Sequence, residues 1–393
     1  MSAQPASIPA ANAAEVRMGN GRFFATENFN FQTLRALMEA PSGSADVNEV
    51  LEALKLIVDG DTQSWYAQWS ALAERVLALA ARTRDPISKG NAYLRSYSYQ
   101  RTAEFPLSPG DPKRVKSWAD GLARFDKALA TLGVACERIN PAYEGGKLRA
   151  QYFPGRPGAE RKPLIMLVGG YDSVLEELYP LLGKAALERG YSVLAYEGPG
   201  QGQPLRDGLT FTPEWERPTG VVLDAFLRTH AKPKEIVLIG MSMGGYFAPR
   251  AAAFEKRIDG VVAWDTCYDY GEVVRLMTGG MANLHPADKA WFSNNARWTL
   301  GVGSVEDAVR EFGRYTLAPV AKEITQPVLI MAGEHDYAIP LQQTADFARA
   351  LVNAKSVTTK TFDLASGGAE HCQTGNVTLV HATIFDWILA NFG

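Results

Sequence analysis

The chain has 393 residues, 46% of them hydrophobic, and a net charge of −3. That is long enough for one large domain with an accessory element. The mildly acidic balance leaves no basic footprint for nucleic acid, and no block of like charge marks an interaction tail.

Cys136, Cys267 and Cys372 are scattered and odd in number. They suggest neither a disulfide framework nor a structural zinc site, and no metal or organic cofactor is expected. The opening "MSAQPASIPAANAAEV" has no basic segment and no leucine-rich core, so it reads as a loose tail over 1–20 rather than a signal peptide. No apolar run approaches the ~18 residues of a membrane span. A soluble, cytoplasmic protein without membrane or nucleic-acid partners is expected.

Residues 21–135 read as helical throughout. "DVNEVLEALKLIVDG" sets Val47, Val50, Leu51, Leu54 and Ile57 on one face, and "DTQSWYAQWSALAERVLALAARTRD" does the same with Trp65, Trp69, Leu72 and Val76. "SKGNAYLRSYSYQRTAEF" and "RVKSWADGLARFDKALATL" complete four helical segments. Tyr93, Tyr97 and Arg101 share a face of the third. Aromatic stripes at this spacing usually pack in a core, and substrate contact by Trp65, Trp69, Tyr93 or Tyr97 is the less favoured alternative.

From 136 onward, strands and helices alternate. "KLRAQYF" is a short alternating strand. "PLIMLVGG", "YSVLAYEGPG", "EIVLIGM", "GVVAWD" and "PVLIMAGEHD" are continuous apolar runs, the mark of strands covered on both faces. Helices fit 174–189, 217–230, 244–256 and 341–353. "SVTTKTFDL" is a last strand, followed by a loop and a helix over 376–391. The pattern predicts an α/β fold: an open, mostly parallel, doubly wound sheet. The connection over about 268–325 is too long for a simple loop and carries helical patterning, so it reads as an inserted lid before the next strand.

The chemistry centres on "EIVLIGMSMGGYFAPR", residues 235–250. A buried strand runs into Gly-Met-Ser-Met-Gly, and a helix rich in small residues runs out. Such a turn strains the serine backbone and lifts Ser242 to the C-terminal rim of the sheet, beside the free N–H groups of a helix start. The glycines allow strand and helix to approach closely. No Gly-Lys-Ser/Thr follows, which excludes a phosphate-binding P-loop.

A serine nucleophile needs a base and an orienting acid, which follow such a turn in the order acid, then histidine. Of the five histidines, His371 lies in "LASGGAEHCQTGN", between the last strand and the last helix; His230, His285, His335 and His381 sit elsewhere. Asp336, in "PVLIMAGEHDYAIP", is the candidate acid, with Glu334 and Asp363 as rivals. An oxyanion would rest on the backbone N–H of Met243 and on that of Tyr171, in the loop "LVGGYDSVLEELYP". Tyr171 either lines the pocket or packs.

"GGYDSVLEELYP", "YEGPGQGQP", "GMSMGGYFAPRAA" and "GEHDYAIP", with the helical N-terminal stretch, resemble the α/β-hydrolase superfamily. They resemble in particular the branch of 2,6-dihydroxypseudooxynicotine hydrolase and the fungal polyketide-shortening hydrolases of melanin pathways. The resemblance spans nearly the whole chain. It implies a Ser242–Asp336–His371 triad and a catalytic domain over 136–393. It also implies an N-terminal helical cap over 21–135 that helps form a dimer, and cleavage of C–C bonds in β-diketone-like or aryl-ketone substrates. "AWDTCYDYGEV" departs from the turn found in many relatives. Asp265 is there either an accessory carboxylate in contact with substrate or a strand-end acid capping the next turn. An ester substrate, a cyclase or acyltransferase on the same triad, and a non-catalytic small-molecule binder on the same scaffold are the alternatives.

Overall fold

The computed structural model describes residues 23–393; the tail expected over 1–20 lies outside them. Helices α1 (Glu27–Met38), α2 (Val47–Leu54), α3 (Thr62–Arg82), α4 (Pro86–Glu104) and α5 (Pro112–Leu132) come first. Four of them begin on aspartates. The side chains of Asp46, Asp61, Asp85 and Asp111 accept first-turn N–H groups, and Pro86 and Pro112 occupy the first helical position, where no N–H is needed. Gly133, at φ 67°, closes α5. Helix α1 was not separated as an element by the sequence pattern, and it proves to line the site.

The strands follow: β1 (Glu137–Ile139), the small pair β2 (Ala142–Tyr143) and β3 (Gly146–Lys147), β4 (Arg149–Phe153), β5 (Leu164–Val168), β6 (Val193–Glu197), β7 (Ile236–Met241), β8 (Gly260–Trp264), β9 (Pro327–Gly333) and β10 (Ser356–Phe362). Among the described residues, eight of them form one sheet in the order β1-β4-β6-β5-β7-β8-β9-β10. β1 and β4 run antiparallel to their neighbours; the others pair in parallel. This is the doubly wound α/β sheet expected from the apolar runs. β5 through β9 are buried along their whole length, which is why they read as unbroken hydrophobic segments.

Helices α6 (Lys184–Glu188), α7 (Gly202–Arg206), α8 (Glu216–Leu227), α9 (Gly244–Phe254), α13 (Gln342–Ala350) and α14 (Val377–Phe392) cover the sheet, while α10 (Tyr270–Gly279), α11 (Pro286–Leu300) and α12 (Val305–Phe312) fill the long connection before β9. The single helix expected over 174–189 is a 3₁₀ turn, a π-helical turn and the short α6. Among the described residues no helix is long and apolar enough to cross a membrane.

The chain leaves β5 for β6 on one side and returns to β7 on the other. The C-terminal ends of β5 and β7 therefore flank the switch point, where open α/β sheets bind ligands. Over that point, α1 meets the long connection. Asp288 of α11 accepts the N–H groups of Glu27 (3.0 Å) and Asn28 (3.1 Å), and Asp59 accepts those of Ala25 (2.7 Å) and Thr26 (3.1 Å). Trp291 stacks on Phe105, ring centres 5.1 Å apart, and donates to its carbonyl. These contacts roof a cavity of about 650 Å³.

Candidate active site

Ser242 sits between β7 and α9 with φ at 58°, a conformation disfavoured for any residue with a Cβ. Its N–H is held by the Trp264 carbonyl at 2.8 Å, and its own carbonyl takes the Gly245 N–H at 2.6 Å. The turn closes only because Gly240 is bare: a Cβ there would lie 1.9 Å from the Gly244 carbonyl oxygen.

His371 Nε2 lies 2.9 Å from Ser242 Oγ, and Nδ1 lies 2.7 Å from Asp336 Oδ2. The second oxygen of Asp336 accepts the N–H groups of Ala338 (2.7 Å) and Ile339 (2.9 Å), which fixes the carboxylate's orientation. The rival acids are used elsewhere. Glu334 accepts the Leu364 N–H at 2.8 Å and Asp363 accepts that of Ser366 at 2.8 Å. Burial opposes a charge on His371, but the Asp336 carboxylate prevails and holds the imidazole pKa well above its ordinary value. The other histidines do not join this row. His230 stacks on Phe226, His285 accepts the Ala287 N–H at the start of α11, His335 precedes Asp336 with its ring 3.8 Å from Glu334, and His381 reaches the Leu181 carbonyl.

Asp265 corrects an expectation. It is 1% exposed, does not line the cavity, and so is not a substrate contact. It sits behind the imidazole, 3.6 Å from His371 Nδ1, and accepts the Cys372 N–H and the Gln373 side-chain amide (3.1 Å). Cys372 and Gln373 both have positive φ, 53° and 49°, so Asp265 ties down a strained turn that presents the imidazole. Burial, then the neighbouring Asp336 carboxylate, pushes its pKa up to about 7.

Tyr171 lines the cavity, next to Trp291 and Tyr270, and its hydroxyl accepts from Thr299 Oγ1 at 3.3 Å. Neither its N–H nor that of Met243 has a protein acceptor among the described residues. Gly170 brings the two strand ends together: a Cβ on it would lie 2.9 Å from Ser242 Cβ and 3.3 Å from the Met243 nitrogen.

The aromatic stripes of the N-terminal region take the favoured alternative, core packing, and not the substrate contact that was the other. Trp65 and Trp69 are fully buried in a helical core, with the Trp65 indole donating to the Thr102 carbonyl. Tyr97 packs on Phe125, and Tyr93 is half-buried between the helical core and the core on one face of the sheet; none of the four lines the cavity. Helical spacing is the same for a core stripe and a binding stripe, and here packing took all four. The N-terminal region instead reaches the cavity through α1, whose Phe31, Arg35 and Met38 follow at spacings of four and three along one face. That spacing was the available signal. Phe31 and Tyr337 close on the imidazole, with ring centres 5.9 and 5.8 Å from that of His371 and 5.7 Å from each other. Arg35 pairs with Glu177 at 2.7 Å and lies 3.6 Å from Asp172, another cavity residue.

A strained serine at a strand–helix turn, hydrogen-bonded through histidine to a carboxylate at the end of a later strand, sits on the sheet order described above. The sequence profile of the Alpha/beta hydrolase family matches residues 164–372, and the hydrolase acrC of Aspergillus aculeatus is 32% identical, covering 94% of this chain and 98% of its own. The chain belongs to the alpha/beta-hydrolase family. The 20-hydroxy-prefusarin hydrolase of Gibberella moniliformis is 29% identical to this hydrolase over 94% of the chain and 98% of its own length. The crystal structure of 2,6-dihydroxy-pseudo-oxynicotine hydrolase shares its fold at a TM-score of 0.71 and 22% identity, covering 90% of this chain and 95% of that one. The likeness extends through the N-terminal helices of this hydrolase, beyond the part matched by the family profile.

Proposed function

We propose that this hydrolase is a serine enzyme working through an acyl-enzyme on Ser242. Its substrate class is a β-diketone, aryl ketone or polyketide-like molecule cleaved at a C–C bond, or an ester. The observation that carries the reading is the hydrogen-bonded row Ser242 Oγ, His371 Nε2, His371 Nδ1, Asp336 Oδ2, at 2.9 and 2.7 Å, opening on one large cavity. His371 takes the serine proton as Oγ adds to the substrate carbonyl, and Asp336 stabilises the imidazolium. The oxyanion rests on the N–H groups of Met243 and Tyr171. Collapse expels an enolate or an alkoxide, which takes the proton from His371. A water, deprotonated by the same imidazole, then releases the acyl group as an acid and restores the serine.

The cavity supports a flat, largely apolar substrate with polar groups at one end. Phe31, Tyr171, Tyr270, Trp291 and Tyr337 offer aromatic surface, whereas Gln32, Arg35 and Asp172 offer hydrogen bonds and charge. A relative that aligns along nearly the whole chain is named as a hydrolase of 20-hydroxy-prefusarin.

The test has two parts. A fluorophosphonate should label the wild type on the peptide carrying Ser242 and leave S242A unlabelled. A panel of aryl esters and aryl β-diketones should then be turned over in heavy-oxygen water, with label in the acid product. An unlabelled Ser242, or no turnover across the panel, refutes the reading. Product without heavy oxygen assigns the same serine to cyclisation or acyl transfer instead.

A further inference from the structure

The donor in the loop after β5 must point at the reaction centre before substrate arrives, because an oxyanion hole works by being preorganised. A loop with two adjacent glycines, Gly169 and Gly170, does not hold one peptide orientation by itself. Its polar groups show what holds it. The Gly170 N–H donates to Ser173 Oγ at 3.0 Å, and the Asp172 carbonyl accepts from Arg101 at 2.8 Å. The carbonyls of Gly169 and Gly170 both accept from one atom, Gln201 Nε2, at 2.9 and 2.7 Å.

We infer that Gln201 is the positioning residue of the oxyanion hole: its buried carboxamide clamps the Gly170–Tyr171 peptide so that the Tyr171 N–H faces Ser242. The clamped carbonyl and that N–H belong to the same peptide, which is trans, as all described peptides are, so the two point in opposite directions. Pulling the carbonyl toward Gln201 sends the N–H away from it, to the side where Gly170 adjoins Ser242 and Met243. The amide has one orientation only. Its Oε1 accepts the Gly198 N–H at 3.1 Å, and a flipped group would set oxygen against two carbonyl oxygens.

The local sequence builds the clamp. Gly198-Pro199-Gly200-Gln201 is a tight turn with proline at its second position, Gly200 at φ 83° at its third, and the Gln201 N–H donating to the Gly198 carbonyl at 3.2 Å. The turn follows β6, which is paired with β5, and this carries the side chain under the loop after β5. Gln201 is 1% exposed and does not line the cavity, so it acts on the reaction only through the peptide it holds.

This inference rests on the serine-hydrolase reading, and the experiment separates the two. Q201E keeps the shape and the acceptor for Gly198 but opposes both carbonyls; Q201M keeps volume and loses every hydrogen bond. With para-nitrophenyl butyrate, both should lower kcat by about 10- to 100-fold while KM changes by less than about threefold, the signature of a misplaced transition-state donor. Binding of an aryl trifluoromethyl ketone, whose tetrahedral adduct occupies the oxyanion hole, should weaken by the same factor as kcat/KM. Binding of the butyrate product should stay unchanged. Wild-type kcat in the folded variants, or equal weakening for ketone and product, overturns the inference. If both variants fail to fold, Q201N keeps the amide but sets it one methylene short of the two carbonyls: a fall in kcat at constant KM supports the clamp, and unchanged kcat overturns it. Failure of the underlying reading looks different, because the wild-type enzyme itself would then escape fluorophosphonate labelling at Ser242.

Discussion

Replacing Gly170 with alanine tests the geometry of the site with one atom. The added Cβ would lie 2.9 Å from the Met241 carbonyl oxygen, 2.9 Å from Ser242 Cβ and 3.3 Å from the Met243 nitrogen. Unstrained carbon contacts fall at about 3.5–4.0 Å, so the loop and the nucleophile turn must separate by roughly 0.6–1 Å. Both are backbone, and neither can swing aside as a flexible side chain would. A displacement of about 1 Å in a catalytic array costs on the order of 100-fold, and losing one oxyanion donor about 3 kcal/mol, so kcat should fall by about 100-fold or somewhat more. Overpacking should also remove roughly 1–3 kcal/mol of stability. The assay is steady-state hydrolysis of an aryl ester by G170A, with the folded fraction fixed by thermal melting. A variant that folds and keeps kcat/KM within about threefold of wild type would refute the close approach of the two strand ends and the oxyanion site built on it.

Asp336 should act through the charge state of His371. Because the carboxylate holds the imidazole pKa up and the base works only when neutral, the acid limb of kcat/KM in the wild type should lie above the ordinary imidazole range. D336N should move that limb to lower pH and reduce kcat by about 10⁴-fold, and an unmoved limb contradicts the pairing. D265A leaves the Cys372 N–H and the Gln373 amide without their acceptor and should lose about 1–3 kcal/mol in chemical denaturation. Since the folded-state pKa of Asp265 is raised to about 7, its proton is bound more tightly in the folded chain. Stability tied to it is present below the ordinary carboxylate range and falls as pH rises to about 7; D265N should flatten that slope. W65A, in the fully buried helical core, should cost about 3–5 kcal/mol with KM unchanged, whereas a changed KM at wild-type stability would return Trp65 to the binding site.

The fold was legible because its signals are local. Continuous apolar runs mark strands covered on both faces, and β5 through β9 are such runs. Gly240-Met241-Ser242-Met243-Gly244 specifies its own strained turn, since the constraint lies between residues four apart. β1, only three residues long, and α7, only five, gave too few residues for a period to show. Helix α1 mixes polar and apolar residues because one face meets the helical core and another the cavity, so no single stripe stands out.

The sequence by itself determined the parallel sheet, the serine turn and the chain order in which an acid and a histidine follow it, because each is written in neighbouring residues. Only the tertiary structure decided that His371 meets both Ser242 and Asp336, that Asp265 lies behind the imidazole, that the tryptophans lie in the helical core, that α1 lines the cavity, and that Gln201 bonds the loop after β5. Those facts depend on which segments lie beside each other, and side chains separated by 35 to 129 positions, as in the row from Asp336 through His371 to Ser242, carry no mark of their partners in one chain read alone.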